Sequence, residues 1–251
     1  MASRSIARAE RAHPRAWAKV ACISTALILM LPVHGIWRLL GQRSPWPRLF
    51  LQFAGKTAGA DVTVTGTPLT QNVLFIANHI SWLDILILAG KTGSAFVAKS
   101  DMAPWPVIGW MATLNNSVYV ARDQRLDVGA QARAMKTALE TGQPLTLFPE
   151  GTTSNGTELL PFRSSLIAAV TPPPQGISIQ PVAIDYGAPA PEIAWIDDEP
   201  VGVNALRVMS RPGRLQVTLH FMPALDHADF EHRKAIAAHS RDAIAGKLFG
   251  V

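Results

Sequence analysis

The 251-residue chain has one cysteine, Cys22, and none of its seven histidines falls at zinc-ligand spacing. An internal disulfide and a cysteine metal cluster are thereby excluded, and we expect no metal and no resident cofactor. No G-x-S-x-G elbow occurs, which weakens any serine-hydrolase reading. Repeats and low-complexity tracts are absent too. Acidic residues are scarce at one end: residues 1–48 carry eight Lys or Arg (Arg4, Arg8, Arg11, Arg15, Lys19, Arg38, Arg43, Arg48) against Glu10, a net +7. The remainder has 15 basic and 17 acidic residues, a net −2. A nucleic-acid binder carries its basic patch on the folded body, whereas here the excess flanks an apolar segment, as an anionic membrane surface would require.

That segment runs from Trp17 to Trp37 and is uncharged from Val20 to Val33. Twenty helical rises of about 1.5 Å reach roughly 30 Å, enough to cross a hydrocarbon core. Lys19, Pro32 and His34 interrupt it, and basic residues lie on both sides, so a shallow or re-entrant anchor competes with a clean span. Gly35-Ile36-Trp37-Arg38 does not form a small-residue cleavage site, which favours an anchor over a cleaved leader. The expected organisation is a basic anchor segment over 1–48 and one catalytic domain over 49–251.

Downstream, Leu49 to Ala60 reads as an amphiphilic helix, and Asp61 to Gly66 alternates like an edge strand. Strands are predicted at 73–77, 95–98, 117–121, 145–148, 178–184 and 215–221. Helices are predicted at 82–88, 105–114, 126–140, 161–170 and 229–248. Their alternation specifies an α/β domain with a mainly parallel or mixed sheet flanked by helices. The apolar run Met102 to Met111 suits either an acyl-chain tunnel or a bilayer contact, and equally a helix packed on the sheet. Pro172-Pro173-Pro174 reads as a stiff loop.

Two strand ends carry the chemistry. The run Asn72 to Ala77 delivers Asn78-His79-Ile80-Ser81-Trp82-Leu83-Asp84, with His79 in the turn and Ser81 as a candidate N-cap three residues before Asp84. On one uninterrupted helix His79 and Asp84 would sit roughly 140° apart, but with His79 in the turn they can meet. A carboxylate on one imidazole nitrogen fixes the tautomer and frees the other nitrogen to accept a hydroxyl proton. The second strand ends in Phe148-Pro149-Glu150-Gly151-Thr152-Thr153-Ser154, where Pro149 marks the exit into a loop. Glu150 can accept a hydrogen bond from a polar acceptor molecule, and Gly151 lets backbone amides approach an oxyanion or a phosphate. Asn155-Gly156 supports an ordinary turn beyond it.

Together and in this order, the two motifs resemble the glycerolipid acyltransferase family, to which 1-acylglycerol-3-phosphate acyltransferase belongs. Ser117 to Arg122 looks like that family's strand ending in a phosphate-binding arginine, and Ile179 to Ile184 like its final proline-valine strand. The resemblance spans roughly Val62 to Tyr186. It implies that His79 is the general base and Asp84 its orienting partner, and that Glu150, Gly151, Thr152, Thr153, Arg122 and Arg163 bind substrate. It further implies an acyl carrier protein or coenzyme A thioester as co-substrate, a lysolipid as acceptor, and the cytoplasmic face of an inner membrane as location.

The family often has glycine where Asn116 stands and arginine where Thr153 stands. Loss of the latter removes a charge-assisted bond to phosphate, which Arg122 or Arg163 would have to restore. The run from Phe148 to Arg163 looks more like the branch that acylates lyso-ornithine lipid, whose acceptors need no phosphate clamp. Two competing functions are a serine hydrolase using Ser81 or Ser154 with His79 and Asp84, and a silent membrane adaptor. The intact His79, Asp84 and Glu150 speak against the adaptor.

Overall fold

In the computed structural model, residues 13–100, 103–105, 108–120, 128–168, 171, 173, 175–196, 199–226 and 232–250 are described. Within them a seven-stranded sheet is built from β1 (Ala60–Thr65), β2 (Val73–Ala77), β3 (Ala95–Lys99), β4 (Val118–Val120), β5 (Leu145–Leu147), β6 (Ser178–Asp185) and β7 (Leu215–Phe221). Its order is β1-β7-β6-β2-β5-β3-β4, and every neighbouring pair is parallel except β6 with β7. The mixed, mainly parallel sheet expected from the sequence is therefore present. All five residues of β2 are buried, as befits a strand covered on both faces, while β1 alternates buried and open positions at the sheet edge.

The helices are α1 (Pro14–Leu39), α2 (Trp46–Ala58), α3 (Leu83–Thr92), α4 (Ile108–Leu114), α5 (Val128–Glu140), α6 (Ser164–Ile167), α7 (Ala190–Ile193), α8 (Val201–Met209) and α9 (Arg233–Phe249). Helices α7 and α8 have no counterpart among the sequence-based expectations. Of the predicted 161–170 helix, α6 starts only at Ser164, because residue 163 is extended and its N–H donates to the Pro149 carbonyl at 2.9 Å, and residues 169–170 lie outside the described residues. The chain before α6 is thus held as a cross-connection to the Pro-Glu-Gly turn. Asn116, where the family often has glycine, has φ of 57°, a left-handed conformation that glycine adopts without strain and asparagine tolerates.

Helix α1 lies against the body. Ala16 is buried, and Val20, Ile23, Ala26, Leu27 and Met30 pack on the main core. The Lys19 ammonium donates to the carbonyls of Ala58 and Met209, at 3.1 and 3.0 Å, tying α1 to the ends of α2 and α8. Its other face is open, with Trp17, Ile28, Leu29 and Ile36 exposed. Pro32 is accommodated within the helix. Helix α2 seats α3 at close range: a Cβ on Gly90 would lie 2.7 Å from the Gln52 Cα, so any larger residue would push the two helices apart. This contact helps set where α3, and with it Asp84, meets the sheet.

Candidate active site

Three adjacent parallel strands, β6, β2 and β5, end on the same side of the sheet, and each delivers part of one cluster. β2 leads to His79 and Asp84, β5 to Glu150, and β6 to Tyr186. Strand C-termini of this kind are where α/β sheets place their sites.

His79 Nδ1 lies 2.7 Å from Asp84 Oδ2. The carboxylate accepts, so Nδ1 carries the proton and Nε2 is the nitrogen left to take one. The same Oδ2 accepts the Ile80 and Ser81 N–H groups at 2.7 and 2.9 Å. The return half of the predicted capping box is therefore present, but the helix begins two residues after Ser81, with Trp82 at the cap position. The Ser81 hydroxyl instead accepts from the Leu83 N–H at 3.4 Å. Asp84 Oδ1 accepts the Tyr186 hydroxyl at 2.5 Å. Asp84 is fully buried, while the His79 side chain keeps 15% of its surface exposed. One face of the imidazole stacks on Phe148, with centroids 4.0 Å apart and planes within 9°. Phe148 in turn stacks on Phe96.

Glu150 faces inward. One carboxylate oxygen accepts the His79 backbone N–H at 2.7 Å, and the other accepts the Leu160 N–H at 3.0 Å. Burial pushes its pKa up to about 7, partly opposed by those two N–H groups. One of its oxygens thus braces the His79 turn and the other the chain at Leu160. Gly151 has φ of 77°, and its N–H closes the turn onto the Phe148 carbonyl at 3.1 Å. Thr152 is exposed. The Thr153 hydroxyl donates to the Trp195 carbonyl, and the Trp195 N–H donates to the Ile80 carbonyl at 2.9 Å. The backbone at Trp195 therefore bridges the two motif turns, which also meet where the Ser154 N–H donates to the His79 carbonyl at 2.7 Å. Arg163 sits exposed beside the Glu150 turn, and Arg122 lies outside the described residues.

Neither candidate nucleophile of a hydrolase is bonded to the imidazole. The Ser154 hydroxyl, buried, accepts from the Gly156 N–H at 3.3 Å, and Ser81 is occupied as above. Several supporting residues escape a reading of the sequence. Asn78 donates to and accepts from the Ile184 backbone, at 3.0 and 2.8 Å, extending the β2–β6 ladder by one side chain. Its place directly before His79 is the available signal. Tyr186, one of only two tyrosines in the chain, closes the proline-valine strand but offers no spacing relative to Asp84. Trp195 becomes relevant only once the loop before α8 is folded back.

A buried carboxylate holds one imidazole nitrogen, on a strand-end turn braced by a second acid, and neither Ser81 nor Ser154 is bonded to the ring. Residues 61–185 match the Acyltransferase family, and the chain belongs to it. It is 34% identical over 238 residues to the lyso-ornithine lipid O-acyltransferase of Rhodobacter capsulatus, covering 87% of this chain and 85% of that one. It is 31% identical over 200 residues to the 1-acyl-sn-glycerol-3-phosphate acyltransferase of Neisseria gonorrhoeae, covering 76% of each. The crystal structure of the 1-acyl-sn-glycerophosphate acyltransferase PlsC from Thermotoga maritima shares the fold. The TM-score is 0.61 at 20% identity, over 89% of this chain and 92% of that one.

Proposed function

We propose that this acyltransferase esterifies the free hydroxyl of a lyso-aminolipid of the ornithine-lipid type, using an acyl carrier protein or coenzyme A thioester as donor. The observation that carries the reaction type is the His79–Asp84 contact, with Nδ1 committed and Nε2 available. His79 Nε2 takes the proton of the acceptor hydroxyl as its oxygen bonds to the acyl carbon. The carbon–sulfur bond then breaks, and the departing thiolate recovers the proton from the imidazolium. The identity to the Rhodobacter enzyme favours the aminolipid acceptor, as does Thr153, which presents no cation and whose hydroxyl is engaged by Trp195.

An apolar pocket between α1, α2 and α4 is lined by Leu27, Met30, Trp46, Phe50, Met111 and Leu114. The open face of α1 supports a membrane location with that helix lying on one leaflet, since its opposite face is taken up by the body. The test is acyl transfer by the purified full chain in mixed micelles, with lyso-ornithine lipid and lysophosphatidate as alternative acceptors and both thioester types as donors. Preferential acylation of the lyso-ornithine lipid is expected. Preferential acylation of lysophosphatidate would make phosphatidate synthesis the function.

A further inference from the structure

We infer that Tyr186 is a positioning residue that sets how tightly the His79–Asp84 pair holds its proton. The inference rests on the general-base reading of His79.

Asp84 is sealed from water, so its charge is met by the donors that reach it and not by solvent. Three of them, the His79 Nδ1–H and the Ile80 and Ser81 amides, crowd Oδ2. Oδ1 has the Tyr186 hydroxyl, at 2.5 Å. That hydroxyl comes from the residue just beyond β6, which as a whole is 2% exposed. Burial, reinforced by the charge of Asp84, pushes the phenol pKa well above its ordinary value. Tyr186 therefore stays a neutral donor throughout the working pH range and does not compete with His79 as a base.

A short bond from a neutral donor spreads the carboxylate charge and weakens its grip on an imidazolium. Without the hydroxyl, Oδ1 is left dry and without a donor, and the carboxylate compensates by holding the proton on the histidine side more firmly. The change is therefore sought in the Tyr186→Phe variant as a higher midpoint than in wild type. Through Asp84, Tyr186 thus acts on the proton held at the His79 ring.

Other ionisable groups around the pair keep their own partners. Glu150 is bonded by the His79 and Leu160 amides, and the charges of Asp84 and then of Arg241 of α9 act on it. Asp185, next to Tyr186, accepts the Gly187 N–H and faces His220 at 3.7 Å. Glu199 pairs with Arg207 at 2.8 Å behind Trp195, and Arg163 is exposed. None of these bonds involves the Tyr186 hydroxyl, so Tyr186→Phe leaves them in place.

The experiment compares Tyr186→Phe with wild type and with 3-fluorotyrosine installed at 186, whose more acidic phenol is a stronger donor of the same shape. Two quantities are followed in the full chain: the ring titration of His79, by nuclear magnetic resonance of labelled histidine, and the acid limb of kcat/KM. The phenylalanine variant should raise both by about half to one pH unit, a three- to tenfold loss of rate on the limb, with KM little changed. Fluorotyrosine should shift both downward. A purely structural role would lower the rate at every pH and leave both midpoints in place, and that result in either variant overturns the inference. If the His79 titration moves while the acid limb does not follow, the link to Tyr186 stands and the general-base reading fails.

Discussion

The backbone N–H of His79 donates to the carboxylate of Glu150 at 2.7 Å, so the acid that ends one strand motif holds the histidine that ends the other. The two motifs are one device: Asp84 orients the imidazole ring, and Glu150 orients the peptide that carries it.

Glu150→Gln tests this. An amide has one acceptor oxygen, so it can satisfy only one of the two N–H groups now met by the carboxylate. The unmet buried donor costs about 1–3 kcal/mol. We expect a lower Tm and a reduced kcat, with KM for the acceptor changed much less. A large rise in KM with kcat retained would instead make Glu150 a substrate ligand.

The same carboxylate gives stability a pH dependence of definite sign. Burial raises its pKa from 4.5 to about 7, so the folded chain holds this proton more tightly than the unfolded one. Its contribution is full below the unfolded value and is lost as pH rises through about 7. The upper bound is about 3.5 kcal/mol, since each pH unit separating the folded and unfolded values is worth about 1.4 kcal/mol. Denaturation of wild type in detergent should show stability falling between about pH 4.5 and about 7, and Glu150→Gln should flatten that slope. Equal slopes in the two proteins would contradict it.

His79→Ala should abolish acyl transfer and Asp84→Asn should cripple it, each by about 10²–10⁴-fold. The asparagine is the more instructive variant, because its amide cannot serve Nδ1–H, two backbone N–H groups and the Tyr186 hydroxyl together. Both proteins should keep their circular dichroism spectra. Near wild-type turnover by folded His79→Ala protein would end the general-base mechanism.

Much of this architecture is legible in the amino-acid sequence. The strands read from short apolar runs because a mainly parallel sheet buries both faces, and His79 with Asp84 read from the change of period after Ala77. What is not legible depends on long-range return of the chain. Tyr186 lies 102 positions from Asp84 and Trp195 lies 42 from Thr153, so no local pattern links them. Helix α8 gives little signal because Val201 to Met209 is short, with no side-chain cap. Its place is secured by tertiary bonds, among them the Asn204 side chain to the Trp82 indole at 3.0 Å. In sequence Glu150 reads as facing a substrate, and its inward turn depends on the amide of Leu160, which spacing alone does not supply.

Acceptor choice should respond to Thr153. Thr153→Arg adds a cation beside the Glu150 turn and removes the hydroxyl bond to Trp195. A charge-assisted bond to phosphate is worth about 1.5–3 kcal/mol, so the ratio of kcat/KM for lysophosphatidate over lyso-ornithine lipid should rise about ten- to a hundredfold. Thr153→Ser, which keeps the hydroxyl, should leave the ratio where it is. An unchanged ratio in the arginine variant would place acceptor selection elsewhere.

Membrane attachment should follow the open face of α1 rather than its charge. Ile28 and Leu29 are 67% and 68% exposed and Ile36 is 56% exposed, while Val20, Ile23 and Leu27 on the same helix pack on the core. Deleting the helix would therefore bare a core face and confound release with misfolding. Replacing Ile28, Leu29 and Ile36 together by lysine leaves that packing intact and removes roughly 1.5–3 kcal/mol of apolar burial per side chain from the lipid contact. The triple variant should move largely to the soluble fraction with its fold and its Tm preserved. Wild type should resist washing with molar salt, because screening weakens charge attraction and leaves apolar insertion untouched. Quantitative salt release of wild type would mean that the basic residues, and not this face, hold the protein on the bilayer.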